Sequence, residues 1–104
     1  MKYQLIPLSE MAAGVEFFRG TRFRRYKAGM SNVSEEDDYY EYMLVDDGEP
    51  SMLLVNSSSE AGRVKAGNVV CYVQKMTHVN RAVVTVAAMK YSMGEANMFL
   101  VEEK

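Results

Sequence analysis

The sequence predicts a mainly β fold: a β-rich α+β chain forming a small curved antiparallel sheet or partly open barrel, with one short N-terminal helix. Three observations carry this. Runs rich in Val, Tyr, Phe and Thr recur along the chain without a helical stripe. Clusters of Asp, Gly, Pro, Asn and Ser separate them at hairpin-like spacing. Connections that short favour antiparallel neighbours, because parallel strands need long crossovers.

The elements follow in order. Lys2 to Ile6 reads as a first strand ended by Pro7. "LSEMAAG" reads as one or two helical turns, with Ser9 as N-cap and Gly14 as the stop. "VEFFRGTRFRRYK" reads as one long strand bent at Gly20. Alternation places Val15, Phe17, Thr21 and Phe23 on one face and Glu16, Phe18, Arg22, Arg24 and Tyr26 on the other. A bulge at Gly20 would re-aim the arginines. "AGMSNVSEEDD" reads as a polar loop. Tyr39–Val45 and Met52–Asn56 read as the strands of a hairpin whose turn, "DDGEPS", has Asp, Gly and Pro. "SSSEAGRVKAG" is loop, "NVVCYVQKM" strand and "THVN" a turn. "RAVVTVAAMKY" begins as strand, and its tail, "AAMKYSMGEAN", could turn helical before Gly94. "NMFLVEE" closes the chain as a strand. The total is five or six strands.

At 104 residues the chain reads as a single domain, 1–104. A domain this size buries roughly 60% or more of its unfolded surface, so it folds without staples, and oligomerisation would help. No stretch reaches the ~18 apolar residues of a membrane span. The first ten residues, "MKYQLIPLSE", lack the apolar run of a signal peptide. The expectation is therefore a cytoplasmic protein with no membrane association.

The net charge of −2 conceals an asymmetry. Arg19, Arg22, Arg24, Arg25 and Lys27 are five of the 12 basic residues. Glu35, Glu36, Asp37, Asp38, Glu41, Asp46, Asp47 and Glu49 are eight of the 14 acidic ones. A dedicated DNA-binding domain gains affinity by neutralising phosphates and is usually basic overall. Extended DNA binding is thus disfavoured. The sole cysteine, Cys71, lies among apolar residues and reads as a small buried hydrophobe. The sole histidine, His78, reads as a loop side chain. Together they cannot supply the four ligands of a structural zinc site. With no nucleophile–base–orienter pattern, no Walker or dinucleotide loop and no implied cofactor, the expectation is a protein that is not an enzyme.

The basic aromatic segment "FFRGTRFRRYK" carries the binding expectation. Arginine presents a planar fork to phosphate, and Phe or Tyr stacks on a base. Arg19, Arg22, Phe23, Arg24, Arg25 and Tyr26 are the candidate ligand-binding residues, for a small nucleotide-like anion. The plainer reading is a solvated strand face. A protein target is the alternative, met through Glu35, Glu36, Asp37, Asp38, Tyr39 and Tyr40, with Tyr42 beside them. There the acidic run would mimic nucleic acid or plug a basic site.

"LSEMAAGVEFFRGTRFRRYKAGM" and "MKYSMGEANMFLVEE" resemble the two ends of the phage anti-defence sponge proteins that antagonise Thoeris immunity. The resemblance implies a small β-rich homo-oligomer, working in a bacterial host, that sequesters a cyclic or phosphorylated nucleotide signal without catalysis. The family's tryptophans are missing, and Phe23 and Phe99 would stand in for them. "FFRGTRF", "YMLV" and "LLVNSSSEAGRV" also resemble a group of bacterial toxin-immunity proteins. That resemblance implies an inhibitor that binds a protein.

Overall fold

A computed structural model describes residues 3–26, 39–48, 51–56 and 69–103. Nine strands run through them: β1 (Tyr3–Pro7), β2 (Glu16–Phe17), β3 (Arg22–Tyr26), β4 (Tyr39–Val45), β5 (Ser51–Asn56), β6 (Val69–Gln74), β7 (Met76–His78), β8 (Arg81–Thr85) and β9 (Met98–Glu103). One α-helix, α1 (Val86–Met93), follows β8. The fold is β-rich α+β with antiparallel pairing throughout. A six-stranded sheet has the order β1-β9-β3-β4-β5-β6, and a three-stranded sheet the order β2-β8-β7. Among the described residues neither sheet closes into a barrel.

The inner face of the large sheet meets the small sheet and α1. Phe23, Tyr42, Leu44, Met52, Val73, Met98 and Leu100 pack there against Phe17, Val84, Val86 and Met89. Phe17 and Phe23 meet edge to face, with ring centroids 5.0 Å apart. This geometry suits the ring quadrupoles.

The expected strand through Gly20 is two strands in two sheets. Gly20 has φ +89, a conformation L side chains rarely adopt. The turn is tied down on both sides. The Gly20 amide donates to the Leu44 carbonyl (2.8 Å), and the Leu44 amide donates to that of Thr21 (3.0 Å). Gly20 is thus the expected pivot, and the pivot carries the chain from one sheet to the other.

Two local expectations are corrected. The N-terminal helix is a single 3-10 turn, Leu8–Glu10, entered from Pro7 rather than capped by Ser9. Leu8 is fully buried, and Met11 is already extended. Core burial of Leu8, not helix propensity, decides this segment. Among the described residues the one α-helix, Val86–Met93, lies instead in the tail that could turn helical. The Thr85 hydroxyl accepts from the Ala88 amide (3.2 Å) as N-cap, and Gly94, at φ +75, ends the helix. "THVN" is only half a turn. Thr77 and His78 belong to β7, and Val79 and Asn80 form the reversal with φ of +53 and +61. Two positive φ values in a two-residue loop are those of a type I′ hairpin.

Candidate functional site

β3 is the third strand of the large sheet, hydrogen-bonded on both sides, and both its faces are used. Arg19 and the three arginines of β3 therefore have four different fates. Phe23, with no exposed surface, is core. Arg24 is 7% exposed and sits in a box of aromatic and acidic groups. Its Nε donates to Glu41 Oε1 (3.1 Å), and its Nη1 donates to the hydroxyls of Tyr3 (2.7 Å) and Tyr26 (3.4 Å). The guanidinium lies 4.5 Å from the Tyr3 ring centroid and 4.1 Å from that of Tyr39. Tyr26, 3% exposed, closes the box and meets Phe99 edge to face. Burial raises the Tyr26 pKa, while its hydrogen bond with Arg24 opposes the rise.

Arg25 points to the inner side and caps α1. Its Nη2 donates to the carbonyls of Met93 and Gly94 (3.1 Å to Gly94), placing a cation where the helix dipole is negative. Arg22 reaches two carboxylates, Glu41 at 3.9 Å and Glu103 at 3.8 Å. It also lines a cleft of about 390 Å³ with Glu16, Glu102 and Glu103. One guanidinium among three carboxylates has the wrong sign for an anion. Arg19 is the exposed arginine of the segment.

Arg19 lies in a second cleft of about 270 Å³, lined by Phe18, Arg19, Asp46, Asn80, Arg81 and Ala82. The cross-strand pair Phe17↔Val84 brings Phe18 and Arg19 alongside the start of β8. Arg81 enters from the type I′ hairpin, where it pairs with His78. Its guanidinium carbon lies 3.8 Å from the Phe18 ring centroid. Thr21 fixes the floor by donating its hydroxyl to the Phe18 carbonyl (2.6 Å). Asp46 is the opposing charge, but Lys75 Nζ sits 2.7 Å from its Oδ1. The Lys75 and Gly48 hydrogen bonds lower the Asp46 pKa. Among the described residues, Arg19, Arg81 and Lys75 thus gather around the Asp46 carboxylate, and Lys75 is the cation hydrogen-bonded to it.

Of the six expected ligand residues, then, Arg19 lines this cleft. Arg22 faces carboxylates, Phe23, Arg24 and Tyr26 are buried, and Arg25 is half-buried with its guanidinium spent on the end of α1. Sequence reading missed Phe18 and Arg81 as partners, since 63 positions separate them and no local pattern links them. Of the alternative set, Glu35, Glu36, Asp37 and Asp38 lie outside the described residues. Tyr39 stacks on Arg24, and Tyr40 packs against the core.

Cys71 is half-buried against the core, and burial raises its pKa. His78 Nδ1 lies 2.7 Å from Glu16 Oε2, joining β7 to β2. Among the described residues no three His, Cys, Asp or Glu side chains converge to hold a metal ion, and no helix is long and apolar enough to cross a membrane. Compared with known proteins, the chain matches no family model, no curated sequence and no solved structure.

Proposed function

We propose that this chain is a non-catalytic binding protein that sequesters a cyclic or phosphorylated nucleotide signal, in an anti-defence role of the phage type. The observation that carries the binding reading is the cleft where Arg81 stacks on Phe18 beside the exposed Arg19. A phosphate oxygen accepts charge-assisted hydrogen bonds from a guanidinium, and an aromatic–arginine pair offers a flat surface to a base. The anti-defence role is drawn from the resemblance of the two end segments to the sponge proteins. A cleft of about 270 Å³ lies just below the range of pockets that enclose a drug-sized ligand. It fits a phosphate with part of its nucleoside, and a homo-oligomer would complete the enclosure.

The test is calorimetry with a panel of cyclic mono- and dinucleotides and cyclic ADP-ribose isomers. Binding by at least one is expected. Arg19→Gln and Arg81→Gln should each weaken it roughly tenfold or more, since a hydrogen bond to a charged group contributes about 1.5–3 kcal/mol. Arg22→Gln should leave it within about twofold. Absence of heat across the panel, with an unchanged circular dichroism spectrum, would remove the reading. In the competing reading, a protein-binding inhibitor, reversing the charges of Glu35–Asp38 abolishes inhibition while both arginine variants retain it.

A further inference from the structure

Asp46 is the one carboxylate among the described residues lining the cleft of Arg19 and Arg81. It directly follows β4. The Gly20 turn brings Arg19 to that same place, because the Gly20 amide donates to the Leu44 carbonyl near the end of β4. Lys75 arrives from the junction of β6 and β7. Both hydrogen bonds that Asp46 accepts among the described residues end on one oxygen, Oδ1. Lys75 Nζ donates to it at 2.7 Å and the Gly48 amide at 3.1 Å. A carboxylate has about four acceptor sites, two on each oxygen. Oδ1 is therefore filled, and Oδ2 keeps its capacity. The Lys75 hydrogen bond, and then that of Gly48, lowers the Asp46 pKa, and the charge of Arg19 adds to the fall. The side chain is thus ionised at neutral pH, fixed in orientation, and able only to accept.

An ionised carboxylate repels a phosphate. In a cleft otherwise lined by cations, it calls for a donor on the ligand. The base of a nucleotide has its flat seat on the Phe18–Arg81 stack. Its phosphate belongs with Arg19. The sugar joins the two, so its hydroxyls come alongside Arg19, where Asp46 stands.

We propose that Asp46 reads the sugar of the bound nucleotide, its Oδ2 accepting a hydrogen bond from a ribose 2′-hydroxyl, so that the cleft selects ribonucleotides over deoxyribonucleotides. This role rests on the nucleotide reading of the cleft and deepens it. Dinucleotide-binding folds set an acidic side chain on the ribose 2′-hydroxyl for the same physical reason: a hydroxyl donates well to an ionised oxygen. Lys75 is a positioning residue here. Its ammonium holds Oδ1 and offsets the negative charge that a phosphate on Arg19 would otherwise meet.

Titration calorimetry on the full chain tests the role with matched probes. These are 3′,5′-cyclic AMP, 3′,5′-cyclic GMP, 3′,3′-cyclic di-AMP and cyclic ADP-ribose, each against its 2′-deoxy forms. For a probe that binds, the 2′-deoxy form should bind roughly tenfold or more weakly, the loss of one hydrogen bond to a charged group. Asp46→Asn, whose amide oxygen is uncharged, should narrow that ratio to about threefold or less, with an unchanged circular dichroism spectrum. A wild-type chain that binds ribo and deoxy forms equally would overturn this role alone, leave the nucleotide reading standing, and need no variant to detect. A folded Asp46→Asn chain that keeps the full ratio would overturn it too. So would a preference between guanine and adenine that Asp46→Asn abolishes at a sugar ratio near one, since the carboxylate would then meet a base edge. If no probe binds the folded wild-type chain, the nucleotide reading falls and this role falls with it.

Discussion

Replacing Arg24 by alanine separates a structural arginine from a ligand-binding one. The side chain is 7% exposed and holds Glu41, Tyr3 and Tyr26 through three hydrogen bonds and two ring contacts. Arg24→Ala leaves the Glu41 carboxylate, only 14% exposed, and the Tyr26 hydroxyl without that partner. Breaking one side of a buried ion pair costs about 3–5 kcal/mol. Glu41 keeps Arg22 at 3.9 Å, so the lower end, ~3 kcal/mol, is the expected loss. At about 4–8 °C per kcal/mol for a domain near this size, Tm should fall by roughly 12 °C or more. The chain has no tryptophan, so urea and thermal unfolding are best followed by circular dichroism. Arg22→Ala, whose pairs are long and partly solvated, should cost less than ~1 kcal/mol. Arg24→Met with Glu41→Leu should recover much of the loss, because a well-packed apolar pair often replaces a buried ionic one at little cost. The reasoning is refuted if Arg24→Ala destabilises by no more than Arg22→Ala does.

Two further outcomes follow from the same strand. Arg25→Met should cost about 1–2 kcal/mol and speed hydrogen exchange at the end of α1, because it removes the cation from the Met93 and Gly94 carbonyls; unchanged exchange there would refute the capping role. Stability should also fall under alkali. Burial raises Cys71 above its ordinary 9.0 and Tyr26 and Tyr42 above their ordinary 10.0. Each group stays protonated longer in the folded chain than in the unfolded one, so its contribution is complete below those values and is lost as pH climbs through the raised ones. A denaturation series should therefore decline from about pH 9, and Cys71→Ala should delay the onset to about pH 10; a flat profile up to pH 11 would refute it.

Local signals carried the strands well. Alternation and turn chemistry located the β4–β5 hairpin, Gly20 announced its pivot, and Gly94 its helix end. The N-terminal segment misled because "SEMAAG" has helical propensity, while Leu8 is claimed by the core. The fates of the arginines were hidden for a different reason. Whether Arg24 meets solvent depends on β9, Tyr3 and Tyr39, which flank it only after long-range pairing. Alternation states which residues share a face; it does not state whether the strand lies at an edge or at the centre. Phe18 and Arg81 meet through the β2–β8 pairing, which no local composition signals.

The position of β9 has a kinetic side. It is the last strand in chain order, yet it stands between β1 and β3, antiparallel to both. During synthesis β3 emerges long before the strand that must flank it, and β1 has no neighbour in the sheet until Met98–Glu103 arrives. Loop closure across most of the chain must precede the reward of those hydrogen bonds, which slows folding. The half-built sheet meanwhile presents β3 as a bare edge. Arg22, Arg24 and Arg25 place three positive charges along that edge, and charge on a bare edge disfavours pairing with another chain.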